Sequence, residues 1–230
     1  MKISKFSQST FTLENDQGKR LIIDPGKYNY SDEFKPSDFG RCDLMIITHK
    51  HADHHFPEAE TAIYDLHKPT VITNKEIANT RDSYKGHNVG DVIEEHGFKI
   101  TLINTDHFAK GESITNFGLL IETDGKRFYH TSDTRFMEAQ IFDLETVKNC
   151  EVLFVPISNR GVVMGIEDAI VFTATVEPSI VIPGHCDSPK DSVRVNPEDF
   201  LSRFNELRGR IETLARVEVK LMKFGDSLTV

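Results

Sequence analysis

Leu44-Met45-Ile46-Ile47 is an unbroken apolar run of strand length, and it leads directly into Thr48-His49-Lys50-His51-Ala52-Asp53-His54-His55. A strand apolar at successive positions has to be covered on both faces, which requires a layered fold with a sheet inside. The run that follows holds four of the ten histidines and one aspartate within seven residues. Imidazole and carboxylate are the donors that borderline divalent metals prefer. A buried strand ending in such a cluster points to a metal site held on a rigid element.

The flanking sequence alternates between strand and helix patterns. Residues 3–6 and 10–14 alternate apolar and polar, Asn15-Asp16-Gln17-Gly18 is turn chemistry, and a third strand over 20–24 is stopped by Pro25-Gly26. This is an antiparallel meander. Residues 27–41 read as a loop and 43–48 as a buried strand. Ala59, Ala62, Ile63 and Leu66 share one face of a helix over 57–66, with Pro57 suited to its first turn. A strand over 70–73 and a short helix capped by Asn74 follow. Strands are expected over 91–95, 98–105, 114–123 and 126–131, with Asp124-Gly125 as a hairpin turn. The last third alternates: a helix near 138–147, a strand over 151–156, a helix over 166–176, a strand over 179–183, a long helix over 197–214, and edge strands over 217–222 and 227–230. No internal repeat stands out. The order suits two mixed sheets packed face to face with helices outside.

At 230 residues and 38% hydrophobic content, one domain over 1–230 is expected. No apolar run has the length of a membrane span, and the first residues lack a signal-peptide core, so a cytoplasmic chain without membrane contact is expected. Cys42, Cys150 and Cys186 are odd in number and far apart, which suits reduced thiols. Cys186 follows His185, and reads as a small buried residue or as a neighbour of a metal. A net charge of −9 speaks against a polymeric nucleic-acid partner. It is compatible with a small anionic substrate, since bound cations reverse the local field. Homo-oligomers are left open.

Polar candidates recur after apolar runs at Asp24, His49, His107, Asp133 and His185. If those strands share a sheet, their ends meet at one edge. His49 and His51, two apart, can reach one ion, while Asp53 and His54 lie one turn further on, where a helix is expected to begin, and can face a second.

His49-x-His51-x-Asp53-His54, then His107, then Asp133 within Thr131-Ser132-Asp133-Thr134, then His185 within Ile182-Pro183-Gly184-His185, resembles the signature of the metallo-β-lactamase superfamily. Asp24 in Leu21-Ile22-Ile23-Asp24-Pro25-Gly26 is similar to the structural aspartate of that family's first motif. Val155-Pro156-Ile157-Ser158-Asn159, Met164 and Val181-Ile182-Pro183-Gly184-His185 are most similar to the ascorbate-6-phosphate-lactonase-like branch. The resemblance implies an α/β (α+β) fold, a four-layer αββα sandwich. It also implies one metal on His49, His51 and His107, a second on Asp53, His54 and His185, and Asp133 bridging them. Asp24 is expected to support a ligand rather than bind metal.

The expected activity is a dinuclear metal-dependent hydrolase in which a metal-bridging hydroxide cleaves an ester, lactone or phosphodiester of a small anionic substrate. Asp53 would orient that hydroxide or pass a proton to the leaving group. Zinc and manganese suit the donors, and iron is compatible. Asn159 and Arg160, in a loop after a strand, are candidate substrate contacts, as is Arg135. His55 reads as a helix-start neighbour, and His130 either orients a ligand or packs within its strand. The alternative hydrolase is a phosphodiesterase or nuclease on cyclic or short nucleotides. A di-iron oxidoreductase would be expected to carry Glu where His51 stands, and an inert metal-binding protein would not need so complete a donor set.

Overall fold

The computed structural model describes residues 1–136, 144–158, 161–189 and 194–230. The first half runs β1 (Lys2–Lys5), β2 (Phe11–Glu14), β3 (Arg20–Ile23), β4 (Leu44–Ile47), α1 (Pro57–His67), β5 (Thr70–Asn74), α2 (Lys75–Ala78) and β6 (Tyr84–His87). Next come β7 (Val92–Glu95), β8 (Phe98–Asn104), a small ribbon of β9 (Phe108–Ala109) and β10 (Glu112–Ser113), then β11 (Phe117–Thr123) and β12 (Lys126–His130). The rest is β13 (Val152–Pro156), α3 (Ile166–Val176), β14 (Ile180–Gly184), α4 (Pro197–Arg208), β15 (Glu218–Val219) and β16 (Ser227–Thr229).

These strands form two seven-stranded sheets, ordered β16-β1-β2-β3-β4-β5-β6 and β7-β8-β11-β12-β13-β14-β15. Each sheet has the same plan. Its first three pairings are antiparallel and its last three parallel. The repeat lies in topology, not in residues, which is why the sequence carries no trace of it.

The side-chain pattern of β4 explains the layering. Leu44 and Ile46 join Leu13, Ile121, Phe128 and Ile182 in the core between the sheets. Met45 and Ile47 turn the other way and pack with Ile63 of α1 and Ile77 of α2. In the second sheet, Leu153, Val155 and Val181 face Ala169 and Phe172 of α3 and Phe200 and Phe204 of α4. Helices, sheet, sheet, helices: the αββα sandwich expected from the sequence is observed. All four β4 side chains are fully buried, and each contributes about 1.5–3 kcal/mol through burial.

Element boundaries differ where local chemistry overrides periodicity. The helix expected over 197–214 ends at Arg208, because Gly209 is a poor helix residue. A 3-10 turn over Glu212–Arg216 then buries Leu214 completely. The loop over 27–41 contains 3-10 turns at Lys27–Asn29 and Pro36–Phe39, the latter burying Phe39. The strand expected over 217–222 shortens to β15, and β6, β9 and β10 were not anticipated. Asp124-Gly125 is the expected hairpin turn, both residues having positive φ. The expected helix over 138–147 falls largely outside the described residues.

Candidate metal centre

The candidate residues converge, but from two sheets rather than the one edge expected. Asp24 and His49 follow β3 and β4 of the first sheet, while Asp133 and His185 follow β12 and β14 of the second, and His107 follows β8. The parallel strands β3 and β4 of one sheet and β12 and β14 of the other deliver their C-terminal ends to the same place. Residues 51–55 make a single turn, with the amides of His54 and His55 both donating to His51 O at 2.9 and 2.7 Å. The helix begins only at Pro57, later than expected. Gly26 makes room for this turn: a Cβ there would lie 1.8 Å from Asp53 O. Its φ of −70° is ordinary, so close approach is what demands glycine.

Three imidazoles form one group. Nδ1 of His51 lies 3.1 Å from Nε2 of His49 and 3.1 Å from Nε2 of His107. The outer nitrogens of two of these rings are already engaged. His107 Nδ1–H donates to Val162 O at 3.2 Å. Thr48 Oγ1 donates to Asp24, so His49 Nδ1–H donates to Thr48 Oγ1 at 3.1 Å. Nε2 of both rings therefore turns a bare lone pair inward. Burial holds all three histidines below the ordinary value of 6.5, which keeps those lone pairs free. Lone pairs crowded together repel unless a cation lies among them. Asp133 Oδ2 closes the group at 3.9 Å from His49 and 4.0 Å from His107.

The second group is more acidic. His185 Nε2 lies 3.2 Å from both Asp53 Oδ2 and Asp133 Oδ2, and His54 Nε2 lies 3.2 Å from Asp133 Oδ1. His54 Nε2, Asp133 Oδ1 and both His185 nitrogens are nonetheless buried without a hydrogen-bond partner among the described residues. Buried polar atoms without partners are uncommon, and here His54 Nε2, Asp133 Oδ1 and His185 Nε2 belong to one cluster of candidate donors. Burial pulls His54 and His185 down, but the carboxylates around them together outweigh it: Asp133, Asp24 and Asp53 lift His54 well above 6.5, and Asp133 with Asp53 lifts His185 to about 10. Burial raises Asp53, yet His54 and His185 bring it down to about 2. Asp133 is shared by the two groups, whose donor atoms lie within 4.8 Å of one another in each.

A hydrogen-bond frame fixes these side chains. Asp24, fully buried, accepts from Thr48 N at 2.8 Å and Thr48 Oγ1 at 2.7 Å, and its Oδ2 lies 2.7 Å from His54 Nδ1. It thus sets the tautomer of His54. Ser132 Oγ lies 2.7 Å from Thr48 Oγ1 and 2.9 Å from Asn116 Oδ1, and Asn116 Nδ2 donates to Asp133 O at 2.6 Å. His130 Nε2–H donates to Ser9 O while its Nδ1 accepts from Ser132 N, so it orients the Asp133 loop and is not itself among the converging donors. Asp24, Ser132 and His185 all have φ near +50°, a region L-residues rarely adopt. The sequence reading missed the roles of Asn116, Thr48 and Ser132. The available signal was a hydroxyl residue directly preceding a ligand candidate in Thr48-His49 and Ser132-Asp133.

Other candidates sort clearly. His55 is held by the buried Glu60 at 2.7 Å. Arg135 pairs with Asp106 at 2.6 Å. Cys186 packs in the outer core of the second sheet and burial pushes its thiol up to about 11, which fits the small buried residue. Asn159 and Arg160 lie outside the described residues. A cleft of about 320 Å³ opens over the centre, lined by His51, Asp53 and His185 together with Tyr28, Lys110 and Ser158. Tyr28 and Lys110 were not singled out in the sequence.

Residues 2–185 match the family model described as the beta-lactamase superfamily domain. A UPF0173 metal-dependent hydrolase of Staphylococcus carnosus is 30% identical, covering 93% of this chain and 96% of its own. Among solved structures, a metallo hydrolase from Ignicoccus hospitalis superposes with a TM-score of 0.76 at 25% identity, covering 100% of this chain and 97% of that one. A metallo-β-lactamase fold protein from Bacillus subtilis gives 0.70 at 15% identity over 99% and 98% of the two chains, a likeness of fold alone.

Proposed function

Since this chain belongs to the beta-lactamase superfamily and is a metal-dependent hydrolase, we propose that its centre holds two divalent ions and hydrolyses an ester, lactone or phosphodiester of a small anionic molecule. His49, His51 and His107 would hold one ion, Asp53, His54 and His185 the other, and Asp133 would bridge. One observation carries this reading: His51 Nδ1 lies 3.1 Å from Nε2 of both His49 and His107, beside a second, acidic group that shares Asp133. When bound, a divalent pair supplies a water acidified to a pKa near 7 and a Lewis acid for the developing oxyanion.

The chain's own residues account for the rest. Asp53 lines the cleft and remains ionised, so it can hold the attacking water by a hydrogen bond and accept its proton. It can then return that proton to the leaving group. Asp53 and Asp133 carry two negative charges that two divalent ions would outweigh, so the floor of the loaded cleft would attract anions despite the acidic chain. The core shared between the sheets supports a single domain over 1–230. No helix among the described residues is long and apolar enough to cross a membrane.

Zinc or manganese is the expected metal, and lactones are the first substrates to try, following the resemblance of 155–159 and 181–185 to the lactonase-like branch. Metal analysis of the purified protein should find two divalent ions per chain. A panel of lactones and aryl esters against cyclic nucleotides then separates lactonase from phosphodiesterase. One tightly held ion per chain in a fully active enzyme would refute the dinuclear reading.

A further inference from the structure

A single lysine stands at the rim of this cleft. Ala109 of β9 registers opposite Glu112 of β10, so Lys110 and Gly111 form the two-residue tip of a hairpin. Their φ values are 53° and 88°, the combination of a type I′ turn. Asn, Asp and Gly take such positions readily, whereas a lysine is held there against its backbone preference.

The arm carrying Lys110 is fixed on three sides. At its base, Ile114 N donates to His107 O at 2.9 Å. Arg135 pairs with Asp106 and lies over the Phe108 ring at 5.4 Å from its centroid. Lys50, from the histidine run, reaches Glu112 at 3.6 Å. Each of these neighbouring cations has an acid of its own, Asp106 for Arg135 and Glu76 with Glu112 for Lys50. Lys110 has no hydrogen-bond or ion-pair partner among the described residues, and it is the one Lys or Arg among the described residues that line the cleft. It lines the same cleft as His51, Asp53 and His185.

We infer that Lys110 anchors a second anionic group of the substrate, set away from the bond that is broken. This rests on the hydrolytic metal-centre reading above and narrows it. The preferred substrate is an ester or lactone that also bears a carboxylate or phosphate at a distance from the scissile bond. The reacting carbonyl meets the centre while the distal anion meets the ammonium. An exposed ammonium on a flexible stem needs little desolvation to do this.

The test uses the zinc-loaded protein and calorimetry with simple acids. The dicarboxylates from malonate to adipate are compared with the monocarboxylates of the same chain length, one carboxylate being expected on the centre. At least one dicarboxylate should bind roughly 3–10-fold more tightly than its partner, the range for an exposed charge-assisted contact. Lys110→Met should bring that ratio to about one, with zinc content and monocarboxylate affinity unchanged, and Lys110→Arg should restore it. Added salt should shrink the ratio in the wild type. Phosphonoacetate against malonate tells whether a phosphate or a carboxylate is the preferred distal group. A wild type without the preference, or a Met variant that keeps it, overturns the role of Lys110. A protein that takes up no zinc, or binds neither acid class, overturns the metal-centre reading and this inference with it.

Discussion

The Asp24 carboxylate and the His54 imidazole are both fully buried, and Oδ2 of the first lies 2.7 Å from Nδ1 of the second. The same carboxylate takes both Thr48 donors, so one side chain after β3 sets the ring of His54 and the start of the His49 turn. Asp24→Asn would place an amide N–H against one of these three donors. Loss of such a partner typically costs 10–100-fold in metal affinity. The ion assigned to Asp53, His54 and His185 should weaken by about that factor, while the one on His49, His51 and His107 should weaken less. Competition with a chelating indicator, resolving two binding steps, checks this. Equal weakening of both steps would count against it.

Gly26 and Gly209 make opposite predictions. An added methyl at Gly26 would lie 1.8 Å from Asp53 O and 2.5 Å from His54 N, both backbone atoms of the turn over residues 51–55. Gly26→Ala should therefore cost about 1–3 kcal/mol or more and displace Asp53. At Gly209 nothing lies within 4 Å of an added Cβ, and φ is −77°. Gly209→Ala should be neutral or stabilise by about 0.4–1 kcal/mol. Urea unfolding of the two variants decides, and similar stabilities would contradict the packing argument.

Much of this was legible in the residues. The period of β4, the caps at Pro57 and Asn74 and the run from His49 to His54 are local signals, and each survives in the fold. Asp24, His107, Asp133 and His185 could be named because each follows an apolar strand. Which of the two expected sheets each of these strands joins could not be read, since pairing between β3 and β4 or β13 and β14 depends on contacts distant in sequence. Asn116 and Lys110 escaped notice for a similar reason. One sits at the start of β11 and the other in a two-residue turn, and neither position has a pattern of its own. Helix α4 shows the converse error. Its apolar spacing continues to Ile211, but Gly209 and the burial of Leu214 end it early.

Without metal, the centre is held by its own ions, and this sets a pH window. His185 is raised from 6.5 to about 10, burial being outweighed by Asp133 and Asp53. Its contribution to stability is complete below about 6.5 and is lost as pH rises through about 10. Asp53 is lowered from 3.8 to about 2, so its contribution is complete above 3.8 and is lost as pH falls through about 2. Chelated protein should thus be most stable between these limits and should lose stability above pH 7. On the proposed ligand set, metal would have to displace the protons on His54 and His185, both raised, whereas His49, His51 and His107, all lowered, would bind without losing one at pH 7. Calorimetry in buffers of different ionisation enthalpy should show net proton release on zinc loading at pH 7. Loading without proton release would be inconsistent with this arrangement.

Of the two candidate carboxylate ligands, Asp53 is the one that lines the cleft: its side chain is 22% exposed, against 3% for Asp133. That exposure is what a proton-transferring carboxylate requires, and a purely structural ligand does not need it. Asp53→Asn keeps the shape and one oxygen donor but removes the base. Turnover should fall about 10²- to 10⁴-fold, the usual contribution of a positioned acid or base. The fall should persist at saturating metal, because it reflects lost proton transfer rather than lost occupancy. The melting temperature of the metal-loaded variant should stay near that of the wild type. The test is therefore kcat measured across a zinc titration, alongside thermal unfolding. Recovery of near-normal kcat at high zinc would reduce Asp53 to a ligand and remove it from the chemistry.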